Sequence, residues 1–246
     1  MSVNTYLKST PLVFASVILG LAIIICAAIA GYTAYEIKAS ADVIEVTGSA
    51  KIPVKADFAR WTLTLETRTG MNDQQTGYTR LDGAGDKILS YLREQGLETF
   101  ETPAPMTMPV FVYPQNAEPY QTGYTVTKMI IVSSDDIEKL AGLAQNIEPL
   151  VGQDYNVTSN GLELTYRNLP ETRVSLLSDA IKDAEARAES IAKESGREVG
   201  ALRSATGGVV QVLPEGGVEV SDYGSYDTQS VNKEVMVTVR ATFSLD

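Results

Sequence analysis

Residues 12–34 contain no charged side chain, and their apolar character runs right round the helical wheel. A helix of that length covers about 34 Å, enough to cross a hydrocarbon layer of about 30 Å with some tilt. A helix packed on a soluble core would carry a polar stripe, and this one has none. Lys8 precedes the run, Glu36 and Lys38 follow it, and Tyr32 and Tyr35 sit where an aromatic belt belongs. The pattern predicts a short cytoplasmic N-terminus over 1–11, a transmembrane anchor over 12–35 and a linker over 36–41. Ala39-Ser40-Ala41 has the form of a signal-peptidase site, but the apolar run exceeds the usual h-region of about 7–15 residues, so an uncleaved anchor is expected. Lys8 and the free amine favour an inside N-terminus, which puts the rest of the chain on the outer side.

Beyond residue 42 the period changes. Val43, Ile44 and Val46 predict a first strand that stops at Thr47-Gly48-Ser49. In residues 57–67, Ala59, Trp61, Leu63 and Leu65 alternate with polar neighbours, the mark of a half-buried strand. Asn72 with Gln75 forms a capping-box-like helix start, and Tyr78, Leu81, Gly85, Ile88 and Leu92 form an apolar face that ends at Gly96. Five prolines between 101 and 119 restrict residues 106–113 to an edge strand. Residues 120–132 predict a long strand with Tyr124, Val126, Ile130 and Val132 on one side. Ser133 or Ser134 caps a second helix with Asp135 and Asp136 in its first turn, and Ile137, Leu140, Ala144 and Ile147 form its stripe. Residues 155–166 predict a strand bent near Asn160-Gly161.

Pro170 opens the third helix, with Val174, Leu177, Ile181, Ala184, Ala188 and Ile191 as its stripe. Asp183 with Arg187 and Glu189 with Lys193 are ion pairs at i,i+4. Gly196 caps that helix, and short strands are expected over 201–205 and 209–213. Residues 214–230 read as a long exposed loop. Val235, Val237, Val239, Ala241, Phe243 and Leu245 mark a closing strand. The order ββ-α-ββ-α-β-α-βββ defines an α+β fold with mixed or antiparallel sheet and three helices, following the anchor.

Charge narrows the partners. The chain's net charge is −11; residues 1–41 contribute +1, so the remainder holds −12. Such a domain repels nucleic acid and anionic headgroups. The sequence has no histidine and one cysteine, Cys26, inside the apolar run. That excludes Ser-His-Asp and Cys-His nucleophile systems, His-ligated metals and an intramolecular disulfide.

The remaining chemistry is sparse. Gly83-x-Gly85, Gly207-Gly208 and Gly216-Gly217 lack the strand-to-helix context of a phosphate loop and read as turns or packing points. Asp135-Asp136 is explained by helix capping. The acidic loop with Glu215, Glu219, Asp222, Tyr223, Tyr226 and Asp227 offers oxygen ligands for calcium but not the D-x-D-x-D-G spacing. The Pro- and Tyr-rich stretch 111–124 reads equally as a contact surface or as plain strand edge. Asn156-Val157-Thr158 is a sequon, relevant only in a eukaryotic secretory pathway.

Three segments together resemble a known family. Ile44-Glu45-Val46-Thr47-Gly48 with Lys55-Ala56-Asp57-x-Ala59 resembles the start of the SIMPL domain. Gly123-Tyr124-x-Val126-x-Lys128 leading to Ser134-Asp135 is similar to a second part of it. Ala180-x-x-Asp183-Ala184-x-Ala186-x-Ala188-Glu189-x-Ile191-Ala192 then Gly196 is similar to its third-helix segment. The resemblance spans roughly 42–246, with two departures: Leu169 stands where the family often has Asp, and the acidic loop after Pro214 has no counterpart. It implies an exported or envelope-associated bacterial protein, some of whose relatives form hollow, ring-like oligomers, and it brings no catalytic residues.

The expected function is therefore that of a non-enzymatic protein of the cell (inner) membrane. A SIMPL-like domain over 42–246, periplasmic or extracellular, self-assembles into a ring- or cage-like homo-oligomer with a scaffolding or protective role. No catalytic, cofactor-binding or metal-binding residue is assigned, and no cofactor or nucleic acid is expected. One alternative is a binding module for an envelope peptide, polymer or cation. Another is a hydrolase using Asp57, Glu66 or Asp135, which requires at least two of these carboxylates in one cleft.

Overall fold

The structure is a computed structural model that describes residues 10–39, 42–218 and 221–246. The elements in order are α1 (Thr10–Ala39), β1 (Val43–Lys55), β2 (Phe58–Gly70), α2 (Gln74–Glu94), β3 (Thr99–Glu101), β4 (Met106–Val112), β5 (Tyr120–Ser134), α3 (Ile137–Gln145), β6 (Asn156–Thr165), α4 (Leu169–Glu194), β7 (Val199–Pro214) and β8 (Asn232–Leu245). The fold is α+β with antiparallel pairing, as the strand and helix periods predict. Contacts divide the chain into two units. One comprises Met1–Ser49, Ser178–Gly208 and Thr238–Asp246; the other comprises Ala50–Leu177 and Val209–Val237.

The second unit is built on a sheet of order β3-β5-β2-β6, with β4 also pairing β5. β2 pairs antiparallel with β5 from Ala59↔Ser134 to Gly70↔Gly123. Because β2 is central and one of its faces is covered, its alternate residues Ala59, Trp61, Leu63 and Leu65 are fully buried. Val126, Ile130 and Val132 of β5 join them, with Leu81, Ile88 and Leu92 of α2 and Leu140 of α3. Each of the Leu, Ile and Val side chains contributes about 1.5–3 kcal/mol of burial. The Trp61 indole N–H donates to Ser159 Oγ at 2.9 Å, so the largest core side chain keeps its polar atom satisfied. β6 bends where expected: its register against β2 shifts between Trp61 and Leu63, and Gly161 there has φ +82°.

In the first unit, β8 places Val239, Ala241 and Phe243 inside. The Leu245 N–H donates to the Asp42 carbonyl at 3.0 Å, while Glu198 and Asp246 exchange backbone bonds at 3.2 and 3.0 Å. Both neighbours of β8 therefore run antiparallel to it.

Several expectations need correction. β1 does not stop at Thr47-Gly48-Ser49. It continues, because Gly48 is a point of close approach: a Cβ there would meet the Ala180 carbonyl and Ala184 of α4. The two short strands expected over 201–205 and 209–213 are one strand, β7, with Gly207-Gly208 inside it rather than in a turn. A Cβ on Gly208 would meet Thr238. Gly216 does mark a turn, with φ +73°. A short strand, β3, was not expected, so the order after α1 is ββ-α-βββ-α-β-α-ββ.

α2 begins at Gln74 after Asp73, not at Asn72, and no side chain caps it. Its end is as expected: Gly96, φ +76°, donates to the Arg93 carbonyl at 2.8 Å. The cap of α3 is Asp136, whose carboxylate accepts the Lys139 N–H at 3.0 Å. The buried stripe of α4 is Leu176, Ala180, Ala184, Ala188 and Ala192, whereas Val174 and Ile191 are 69% and 54% exposed. Asp183 pairs with Arg187 at 2.9 Å; the expected Glu189 pair with Lys193 is not among the ion pairs of the described residues.

Candidate functional site

α1 presents the first functional surface. Phe14–Tyr35 is 22 residues long with mean hydropathy 2.6, and none of it is buried. Its apolar residues are exposed all round, from Phe14 at 71% to Tyr35 at 73%. The Thr33 hydroxyl donates back to the Ile29 and Ala30 carbonyls at 2.9 and 3.0 Å. That satisfies the hydroxyl without water, as a hydrocarbon environment requires. The helix is long and apolar enough to cross a membrane. The flanking Lys8 and the Ser40 and Ala41 of the cleavage-like motif lie outside the described residues.

The second unit gathers the polar residues. Arg167 follows β6, and its guanidinium lies 3.0 Å from Asp135 and 3.5 Å from Asp57. The Arg167 N–H also donates to the Asp57 carboxylate at 3.0 Å, and the guanidinium covers the Phe58 ring at 5.0 Å. Two of the three carboxylates considered for hydrolysis are thus brought together, but around one cation. Glu66 is elsewhere, opposite Thr127 of β5. The three side chains are 40–71% exposed, so these are surface ion pairs of modest strength.

Two open clefts flank this cluster. One, of about 320 Å³, is lined by Lys55, Ala56, Asp135, Asp136, Ile137, Glu138 and Val231. The other, of about 360 Å³, lies between Phe58, the turn after α2 and Ser133 to Asp136. Both are at the low end of ligand-site volumes, about 300–1,000 Å³.

The described residues between Pro214 and Asn232 form no helix or strand and are mostly exposed, the long exposed loop expected, but the loop is tied down at two places. Tyr226 forms a parallel bridge with Val212, and its hydroxyl accepts the Tyr166 N–H at 2.9 Å. Asp227 turns inward to Lys233, the most buried cation of the described residues: their side chains are 12% and 0% exposed. Lys233 Nζ donates to the Asp227 carbonyl at 2.6 Å and to its carboxylate at 3.1 Å. Burial by itself pushes the Asp227 carboxyl up. The N–H groups of Gln229 and Ser230 and the Lys233 ammonium outweigh it and hold the carboxyl below its usual range. Tyr223 is 97% exposed and Val218 88%, and Pro214, Glu215, Asp222 and Gln229 are exposed as well. Glu219 lies outside the described residues. Among those described, no group of three or more His, Cys, Asp or Glu is gathered as a metal site would need.

Sequence reasoning missed Lys233 and Arg167. Lys233 was findable: the buried alternation of β8, read back two places from Val235, lands on it. Arg167 was not, because its partners are 110 and 32 positions away in the chain.

The third surface is apolar and open. Along β4 and its turn into β5, Met106, Met108, Phe111, Val112, Tyr113 and Tyr120 are 41–74% exposed. The Phe111 and Tyr113 rings lie 6.5 Å apart, tilted by 48°. Asn156 of the sequon is exposed at the first position of β6.

An exposed apolar helix joined to an antiparallel α+β body defines the class of molecule. The family model described as SIMPL, a protein of unknown function (DUF541), matches residues 44–243, and the chain belongs to that family. A search of curated proteins finds no match.

Proposed function

We propose that this SIMPL protein is a single-pass protein of the cell (inner) membrane whose C-terminal domain stands on the periplasmic or extracellular side. The domain self-assembles into a ring- or cage-like homo-oligomer with a scaffolding or envelope-protective role, and it is not an enzyme. The observation that carries this reading is α1: an apolar surface 22 residues long with no part buried has no place in water. The exposed β4 surface and family membership support assembly. The guanidinium between Asp57 and Asp135 speaks against acid–base work at that cluster. The test is membrane extraction with protease protection. The full chain should resist alkaline and high-salt washes, and added protease should reach its domain only from the outer side. Release by alkaline wash, or digestion only from the cytoplasmic side, contradicts the reading.

A second reading, a binding module for an envelope peptide or polymer, is favoured by the same β4 surface. Replacing Phe111 and Tyr113 by Ser should then lower co-sedimentation with isolated cell-wall polymer at least about tenfold, on the usual weight of aromatic contacts. Unchanged sedimentation removes it.

A further inference from the structure

β7 is a terminal strand of the sheet β1-β8-β7, and its two parts are treated differently. Near its C-terminal end the chain closes the edge itself. The Val212 N–H donates to the Ser225 carbonyl, and the Val212 carbonyl accepts the Asp227 N–H, both at 2.7 Å. Over residues 201–208 no other described segment closes the edge in this way; Ser244 Oγ donates to the Ala201 carbonyl at 3.3 Å, and all eight residues are exposed. Alternate N–H and C=O groups of a terminal strand point off the sheet, and here both faces are bare as well.

An open edge is normally blunted by charge or proline. The opposite terminal strand, β1, is: it carries Glu45, Lys51, Pro53 and Lys55. β4 carries Pro109. Residues 201–208, Ala-Leu-Arg-Ser-Ala-Thr-Gly-Gly, carry no proline and one charge, Arg203. The row of backbone groups selects the occupant. Hydrocarbon leaves an open edge unsatisfied, whereas another strand pairs it. Charge selects further. A chain of net charge −11 repels its own copies, and this stretch, whose one charge is the positive Arg203, is a place where two copies meet without bringing carboxylates together.

We propose that residues 202–208 of β7 pair antiparallel with the same residues of a second copy across a two-fold axis centred at Ala205. In that register Arg203 stands opposite Gly207, so like charges do not face each other. The contact is isologous and closes on itself. It rests on the self-assembly reading above and names one of the interfaces that reading requires.

The test uses the full chain in detergent with Cys26→Ala, so that an introduced cysteine is the only thiol. Ala205→Cys is treated with a short bis-maleimide, and Val218→Cys, 88% exposed on the 214–230 segment, reports random collision. Ala205→Cys should give a covalent dimer at least tenfold faster than Val218→Cys. Ala205→Lys places two ammonium groups across the axis and should halve the scattering mass without moving the melting profile. If the unsubstituted protein is oligomeric, yet Ala205→Cys links no faster than the control and Ala205→Lys leaves the mass unchanged, this interface is wrong and self-assembly stands. If the unsubstituted protein is monomeric, both readings fall.

Discussion

Helices α2 and α4 each lay one side against strands, but they bury different kinds of side chain. α2 inserts Leu81, Ile88 and Leu92 between itself and β2 and β5. α4 buries a column of alanines, Ala180, Ala184, Ala188 and Ala192, and brings its backbone onto Gly48. The first interface draws its stability from apolar area, and the second from close approach. A small residue is therefore a weakness in one and a requirement in the other. Asp183 shows how tight the second is: its carboxylate accepts the Ser49 N–H of β1 at 2.7 Å. That bond first, and Arg187 beside it, hold the carboxyl below its usual range against the opposing effect of burial.

The contrast breaks most visibly at Gly48. Gly48→Leu puts side-chain atoms where the Ala180 carbonyl lies, and the full chain should lose its cooperative melting transition in detergent; an overpacked site costs about 1–3 kcal/mol or more, and here the obstacle is backbone. Lys233→Ala comes next, because it strands the buried Asp227 carboxylate; about 3–5 kcal/mol should be lost in denaturant titration. In α2, Ile88→Ala should cost about 2–5 kcal/mol by leaving a cavity, whereas Ala184→Gly in α4 should cost only the helix propensity, about 1 kcal/mol.

Asp183→Asn is smaller still and depends on pH. The native carboxyl titrates below its unfolded value, so its contribution is present above about pH 4 and lost as pH falls through the folded pKa. Melting temperatures of wild type and Asp183→Asn should differ at pH 7 and converge in acid; a constant difference contradicts the assignment.

Much of the fold was legible in the sequence, for a physical reason. β2, β5 and β8 each bury one face, so their side chains had to alternate. β7 was misread as two strands because Gly207-Gly208 has the composition of a turn, and residues 201–208, burying neither face, show no alternation that would carry the strand through it. The stripe of α4 was placed on Val174 and Ile191 because large aliphatics dominate a hydrophobic period, while the close packing on Gly48 selects alanine. The Arg167 cluster and the tie between Tyr226 and Tyr166 join residues far apart in the chain, which no local pattern encodes. The apolar helix α1 was the clearest element, since an uncharged run that long leaves no other period to read.

The proposed function stands or falls on whether copies of this chain assemble. Light scattering of the full-length protein, purified in mild detergent at micromolar concentration and corrected for bound detergent, tests it directly. A single species at an even multiple of the 26.5 kDa chain mass is expected. A homogeneous 26.5 kDa monomer contradicts it.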